Sequence, residues 1–319
     1  MSRAGGSTTA AATCDHGTSR TPEGLHPLPD WIRDPSDASL DGSPEFDSSP
    51  GPRMRSLDLA RHDDVVELVL VRGRGNALDA TLLGELERGF GELAADGSPP
   101  VVLRARGASF CTGLDLEDAS GRDRDGMREL MGAFHRALTA VFAYPAPTVA
   151  AIGGHALAGG ALLAFGADAR IMAHGAGRFG VHGVQIGVAY PDVAVEILRH
   201  QLPARARQRL LYEGRLHTDA GALELGWIDE LVEERRLAER AREIARALNV
   251  PSAPAFTATK TRLRRPATER LRTIDPEGME RWLDRWFAPD TAARREHALA
   301  ALLERRGHRP GEDPAHHED

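Results

Sequence analysis

Of 319 residues, 27% are charged and 41% hydrophobic, a balance that excludes fibrous, collagen-like and membrane-spanning classes. The net charge of −7 is shared between an acidic first part and an acidic remainder, so no basic domain of the kind duplex DNA requires is present and no nucleic-acid partner is expected. Only two cysteines occur, Cys14 and Cys111, and no stretch approaches the roughly 20 apolar residues of a membrane span; together these predict a soluble, cytoplasmic protein without a disulfide framework.

Residues 1–55 carry 8 Ser, 7 Pro and 6 Gly and no apolar periodicity, so they cannot bury enough area to offset their ordering entropy. They are expected to be a disordered leader. The β-branched run from Val65 to Val71 predicts a buried strand. Asp79 is placed to cap a helix whose apolar positions Leu82, Leu83, Leu86, Phe90 and Leu93 recur every three or four residues.

The pattern repeats: a strand from Val101 to Leu103, a loop from Arg106 to Gly113, a helix from Met127 to Phe142, a strand from Thr148 to Ile152, and a helix opening at Gly159. Strands separated by helices predict an α/β core with largely parallel pairing over residues 56–250. Beyond Ala204 the chain reads as helical, with segments at Ala204–Tyr212, Asp219–Leu225, Leu237–Leu248 and, in at least two pieces, Glu277–Leu303. Residues 251–306 form a helical C-terminal region and residues 307–319 a flexible tail. His316 and His317 lack a third ligand, so no metal is expected.

Two glycine-bearing loops each open a helix: Ser109 to Leu116 (SFCTGLDL) and Gly153 to Gly160 (GGHALAGG). At a helix start, backbone N–H groups lack intrahelical partners and the dipole favours negative charge, so two converging loops could hold an oxyanion. The competing reading is that the glycines only permit tight packing.

Asn76-Ala77-Leu78-Asp79, the loop from Ser109 to Leu116 and the run from Pro147 to Gly160 resemble, in order and spacing, the enoyl-CoA hydratase/isomerase (crotonase) family over about residues 57–265. The segments Phe179–Val188 and Ala220–Val232 continue the likeness. The resemblance implies a ββα spiral core with a helical C-terminal region that forms a homotrimer or hexamer. It also implies an acyl-CoA or acyl-carrier thioester substrate, with coenzyme A part of the substrate and no other cofactor.

By the same likeness, the thioester oxygen is held by the backbone N–H groups of Leu114 and Gly159. Asn76, Ala77, Leu78, Arg106, Phe110 and Gly113 would line the CoA path, and Lys260, among Arg262, Arg264 and Arg265, matches a lysine near the CoA phosphates. The cations' other reading is a solvated helix face. Hydratases of the family carry two glutamates, and the matching positions here are Leu162 and Gly183. Hydration needs one group to activate water and another to protonate carbon, so isomerisation or another enolate reaction is expected instead. His182 or Tyr190 would handle the proton. Asp192 is expected to cap a helix, His155 to serve its loop, and Cys111 to have no nucleophilic duty. The alternatives are an acyl-CoA decarboxylase, which Tyr190 suits, and a non-catalytic acyl-CoA-binding or assembly subunit that kept the fold.

Overall fold

The computed structural model describes residues 54–73, 75–249 and 253–307. Nearly all of the expected leader, Cys14, and the tail with His316 and His317 lie outside the described residues. The first half of the chain forms β1 (Leu57–His62), β2 (Val65–Leu70), α1 (Ala80–Ala95), β3 (Val101–Ala105), β4 (Ser109–Cys111), α2 (Leu116–Ser120), α3 (Arg124–Ala143), β5 (Thr148–Ile152), β6 (His155–Leu157) and α4 (Gly159–Gly166). The second half adds β7 (Ala169–Ala173), β8 (Arg178–Gly180), α5 (Asp192–Gln201), α6 (Ala204–Glu213), β9 (His217–Thr218), α7 (Asp219–Glu224), β10 (Glu230–Val232), α8 (Leu237–Asn249), α9 (Ala253–Leu271), α10 (Pro276–Trp286) and α11 (Pro289–Gly307).

Two sheets result. The larger has six strands in the order β1-β2-β3-β5-β7-β10, parallel except for the antiparallel β1 at its edge. The smaller, β4-β6-β8-β9, is built from the short strand that follows β3, β5 and β7 in turn, closed by β9. After the first unit, whose β1 and β2 both lie in the larger sheet, each repeat gives one strand to each sheet before its helix, which is the ββα spiral the resemblance implied.

The continuous apolar runs follow from burial of both sheet faces. In β5, Val149 and Ala151 face α8, through Leu237, Ala241 and Ala245, whereas Ala150 and Ile152 join the main core with α1 and α3. That alternation gives two cores on opposite sides of one sheet. As expected, Asp79 caps α1, accepting the Leu82 N–H.

Two expectations need correction, for the Arg106–Gly113 loop and for Asp192, and two elements had not been assigned individually. The stretch Arg106–Gly113 is not all loop, because β4 lies within it. Strand β1 escaped notice because it is an edge strand with alternate residues exposed, Leu57 being its one fully buried side chain. Asp192 is the first residue of α5 and makes no side-chain cap. Helix α9 falls within the C-terminal region expected to be helical; it carries Pro266 and turns Lys260, Arg264, Ala267 and Leu271 inward, two of them cations. Among the described residues, no helix is long and apolar enough to cross a membrane.

Candidate active site

The two glycine loops meet. Leu114 sits opposite Leu78 in a single parallel bridge, in which Leu78 N–H donates to Gly113 O at 2.8 Å and Asp115 N–H donates to Leu78 O at 3.0 Å. Leu78 makes both bonds, so the N–H of Leu114 points away from it. Gly159 opens α4 after Ala158, whose backbone is turned to φ 49 and ψ −117. Neither the Leu114 nor the Gly159 N–H donates to an acceptor among the described residues.

Their proximity is set by missing side chains. A Cβ on Gly113 would lie 2.9 Å from Gly159 N, and one on Gly159 would meet Leu78 at 3.1 Å and Phe134 at 3.0 Å. Other glycines serve packing: a Cβ on Gly160 would fall 2.0 Å from Cys111 O, and one on Gly154 2.3 Å from Ala108 O. Both readings of the loops therefore hold, at different residues. The register between β4 and β6 shifts between Ser109 and Cys111, two residues before Gly113.

Between the loops and α5 lies the segment holding the two proton-transfer candidates. His182 precedes a short 3-10 helix, Gly183–Ile186, and its Nδ1 is buried without a hydrogen-bond partner. Burial lowers its pKa, so the ring is neutral at neutral pH. Tyr190 donates its hydroxyl to Val181 O at 3.3 Å, and its ring edge would lie 3.3 Å from a Cβ on Gly183. Burial raises the Tyr190 pKa, partly offset by the N–H groups of Val184 and Gly183.

Tyr190 also borders a cavity of about 90 Å³ with Met131, Val193, Ile274, Met279 and Trp282. Leu162 is buried in the main core. Cys111 is fully buried and its thiol is pushed up to about 12 by loss of solvent, which fits the absence of nucleophilic duty. His155 accepts the Arg178 N–H at 3.0 Å, as a residue of its loop should.

The residues expected along a CoA path divide. Asn76, Leu78, Phe110 and Gly113 are buried, and Ala77 is half-buried; Arg106 is exposed and pairs with Asp58 at 3.0 Å. Asn76 works as scaffold: with φ 46, its carboxamide accepts the Arg72 N–H and donates to Arg106 O and Ser109 O, each at 2.8–2.9 Å. It ties the first loop to the strand that leads into the site.

Lys260 is the clear correction. Its ammonium donates to Asp168 at 2.6 Å and Ala146 O at 2.8 Å inside the fold, with only 6% of the side chain exposed, so it is not presented to a phosphate. Arg264 completes the cluster on Asp168 at 2.7 Å and also donates to Phe142 O. Burial lowers the Lys260 pKa to about 7, opposed by Asp168. Arg262 and Arg265 remain on the exposed side of α9. Sequence reasoning also missed Phe134, which walls Gly159 from α3, and Arg72, which pairs with both Asp79 and Asp115.

Comparison with known proteins identifies the family and the fold. The family model described as enoyl-CoA hydratase/isomerase matches residues 61–307. The carnitinyl-CoA dehydratase of Citrobacter koseri is 30% identical over 216 residues, covering 67% of this chain and 82% of that protein. Among solved structures, human mitochondrial delta3-delta2-enoyl-CoA isomerase superposes with a TM-score of 0.75 at 25% identity, over 79% of this chain and 100% of that one. The enoyl-CoA hydratase from Bacillus halodurans gives 0.68 at 26% identity, over 76% and 100%. With its two-sheet spiral, its converging glycine loops and a family match over most of its length, this chain belongs to the enoyl-CoA hydratase/isomerase family.

Proposed function

We propose that the protein is an acyl-CoA thioester enzyme that works through an enolate, with isomerisation or a related proton transfer as its reaction. The observation that carries the reading is the pair of unpartnered N–H groups, Leu114 and Gly159, brought together across Gly113. When a proton leaves the carbon beside a thioester, the electron pair moves to the carbonyl oxygen. Two backbone donors fixed in advance stabilise that oxygen more in the transition state than in the ground state.

One group suffices to move a proton between two carbons, and His182 is suited to it because its buried Nδ1 is unpartnered and its ring neutral. Tyr190 serves as the alternative donor, although its hydroxyl is engaged with the backbone of Val181. The CoA portion runs past Ala77 and Arg106. Lys260 takes no part in it. The absence of carboxylates at Leu162 and Gly183 argues against hydration. On the family likeness the assembly is a homotrimer or a dimer of trimers, which analytical ultracentrifugation reads directly.

A non-catalytic acyl-CoA-binding subunit is the second reading, favoured by the same missing carboxylates. Hydrogen–deuterium exchange at the α-carbon of bound acetyl-CoA and short enoyl-CoAs separates the two. Exchange supports the enolate enzyme; binding without exchange supports the subunit. No binding of any acyl-CoA by folded protein defeats both. A malonyl-type thioester that loses carbon dioxide would assign the decarboxylase.

A further inference from the structure

We propose that Arg72 is a positioning residue that sets the direction of the Leu114 N–H; the role deepens the enolate reading above and rests on it. The Arg72 guanidinium bridges three points around the Leu78–Leu114 pairing. Its Nη1 donates to Ala77 O at 2.9 Å and to the Asp115 carboxylate at 3.2 Å, while Nη2 lies 2.6 Å from the Asp79 carboxylate. Ala77 and Asp115 are the immediate neighbours of Leu78 and Leu114.

The two carboxylates are themselves fixed. Asp79 Oδ1 caps α1 through Leu82 N–H at 2.8 Å, and Asp115 Oδ1 accepts from Glu117 N–H at 3.2 Å and Asp118 N–H at 3.3 Å at the start of α2. One guanidinium therefore joins the N-termini of two helices on either side of the peptide that carries the Leu114 N–H. The backbone of Arg72 is locked in turn, exchanging bonds with Asn76 through its N–H at 2.8 Å and its carbonyl at 3.0 Å. The side chains of Arg72, Asp79 and Asp115 are 28%, 17% and 19% exposed, so solvent screens these pairs only partly.

A rotation of the Gly113–Leu114 peptide would turn the donor off the thioester oxygen. Gly113, at φ 92, offers little resistance to such rotation by itself. The restraint comes from the bond that Gly113 O accepts from Leu78 N–H at 2.8 Å and from Asp115 on the far side, held by its own N–H on Leu78 O; Arg72 holds both, through Ala77 O, the carbonyl of the peptide that carries the Leu78 N–H, and through Asp115 Oδ2. A lysine could meet one carboxylate but could not also reach Ala77 O and the second carboxylate, because it is a point charge rather than a planar fork.

The test compares wild type, Arg72→Lys and Asp79→Asn, the last retaining the Arg72–Asp115 arm should the first fold poorly. In ligand-free protein, the amide resonance and hydrogen exchange of Leu114 are followed by NMR. With 1-13C-acetyl-CoA, the carbonyl shift on binding, the dissociation constant and α-proton exchange are measured. Arg72→Lys is expected to move the Leu114 amide and to lower exchange about 100-fold, the size of losing one oxyanion donor, while acetyl-CoA affinity changes little. Asp79→Asn should do the same to a smaller degree.

Both variants leaving the Leu114 amide where it is in wild type would overturn the proposal, as would a loss of exchange matched by an equal loss of affinity. If wild type neither polarises the carbonyl nor exchanges the α-proton, the enolate reading fails on that result alone. The Leu114 amide of the ligand-free variants still decides whether Arg72 holds it.

Discussion

Gly113 and Gly159 approach so closely that a Cβ on the first would sit 2.9 Å from the amide nitrogen of the second. Gly113 also has φ 92, where a side chain is strained regardless of space. Gly113→Ala is therefore expected to lower stability by about 1–3 kcal/mol in urea unfolding. By parting the two donors, it should also cut α-proton exchange by about 100-fold or more. Unchanged exchange in a folded variant would remove the paired-donor site.

Ala158 holds φ 49 and ψ −117 immediately before Gly159, a backbone conformation that glycine adopts without cost. Ala158→Gly should relieve native strain while adding freedom to the unfolded chain, for a net gain of about 1 kcal/mol. Chemical denaturation measures it, and a loss of stability would show that the alanine methyl contributes packing against the Gly113 loop.

Lys260 and Arg264 both pair with Asp168 inside the fold. Lys260→Met removes one buried partner and should destabilise the protein by about 3 kcal/mol. Acyl-CoA affinity, read by calorimetry, should stay where it was. The opposite result, lost affinity with unchanged stability, would return Lys260 to the CoA path.

Burial places the His182 pKa below its ordinary 6.5. Between the folded and unfolded values the unfolded chain binds more protons at this site, so its contribution to stability is present above pH 6.5 and is lost as pH falls through the lowered native value. If His182 is the base, α-proton exchange should rise with pH to a plateau, with a midpoint below 6.5, and His182→Ala should abolish that step. A midpoint above 10, removed by Tyr190→Phe, would transfer the role to Tyr190, whose pKa burial raises.

At Gly183 a Cβ would lie 3.0 Å from Val188 O and 3.3 Å from the Tyr190 ring. Gly183→Glu should therefore cost about 1–2 kcal/mol in stability while restoring a carboxylate. Faster double-bond shift in short enoyl-CoAs is expected, followed by absorbance. Hydration should not become efficient, since Leu162 supplies no second carboxylate. A variant that binds acyl-CoA and gains nothing would show that this loop does not face the reacting carbon.

Much of the fold around the candidate site was legible in advance because it is made of local signals. Strand β5 and helices α1 and α3 announced themselves through apolar runs and periodicity, and the glycine loops through spacing alone. Edge strand β1 was not legible, and helix α9 only as part of a helical region without bounds of its own: their inward faces are incomplete or cationic, so periodicity carries no apolar signature. Lys260 shows the limit most clearly. A basic run reads alike whether it faces phosphate or a buried carboxylate 92 residues away in the chain, and only the packing of α9 distinguishes them.

What sequence alone determined was the set of groups available: backbone donors at two helix starts, no carboxylate at Leu162 or Gly183, and a titratable histidine beside the latter. These are properties of residue identity and short-range backbone geometry. Which donors are left unpartnered, which glycines admit a close approach, and where Arg72, Lys260 and His182 direct their polar atoms were decided only by tertiary structure. Each of those outcomes depends on desolvation and on contacts between segments far apart in the chain, which no local pattern encodes.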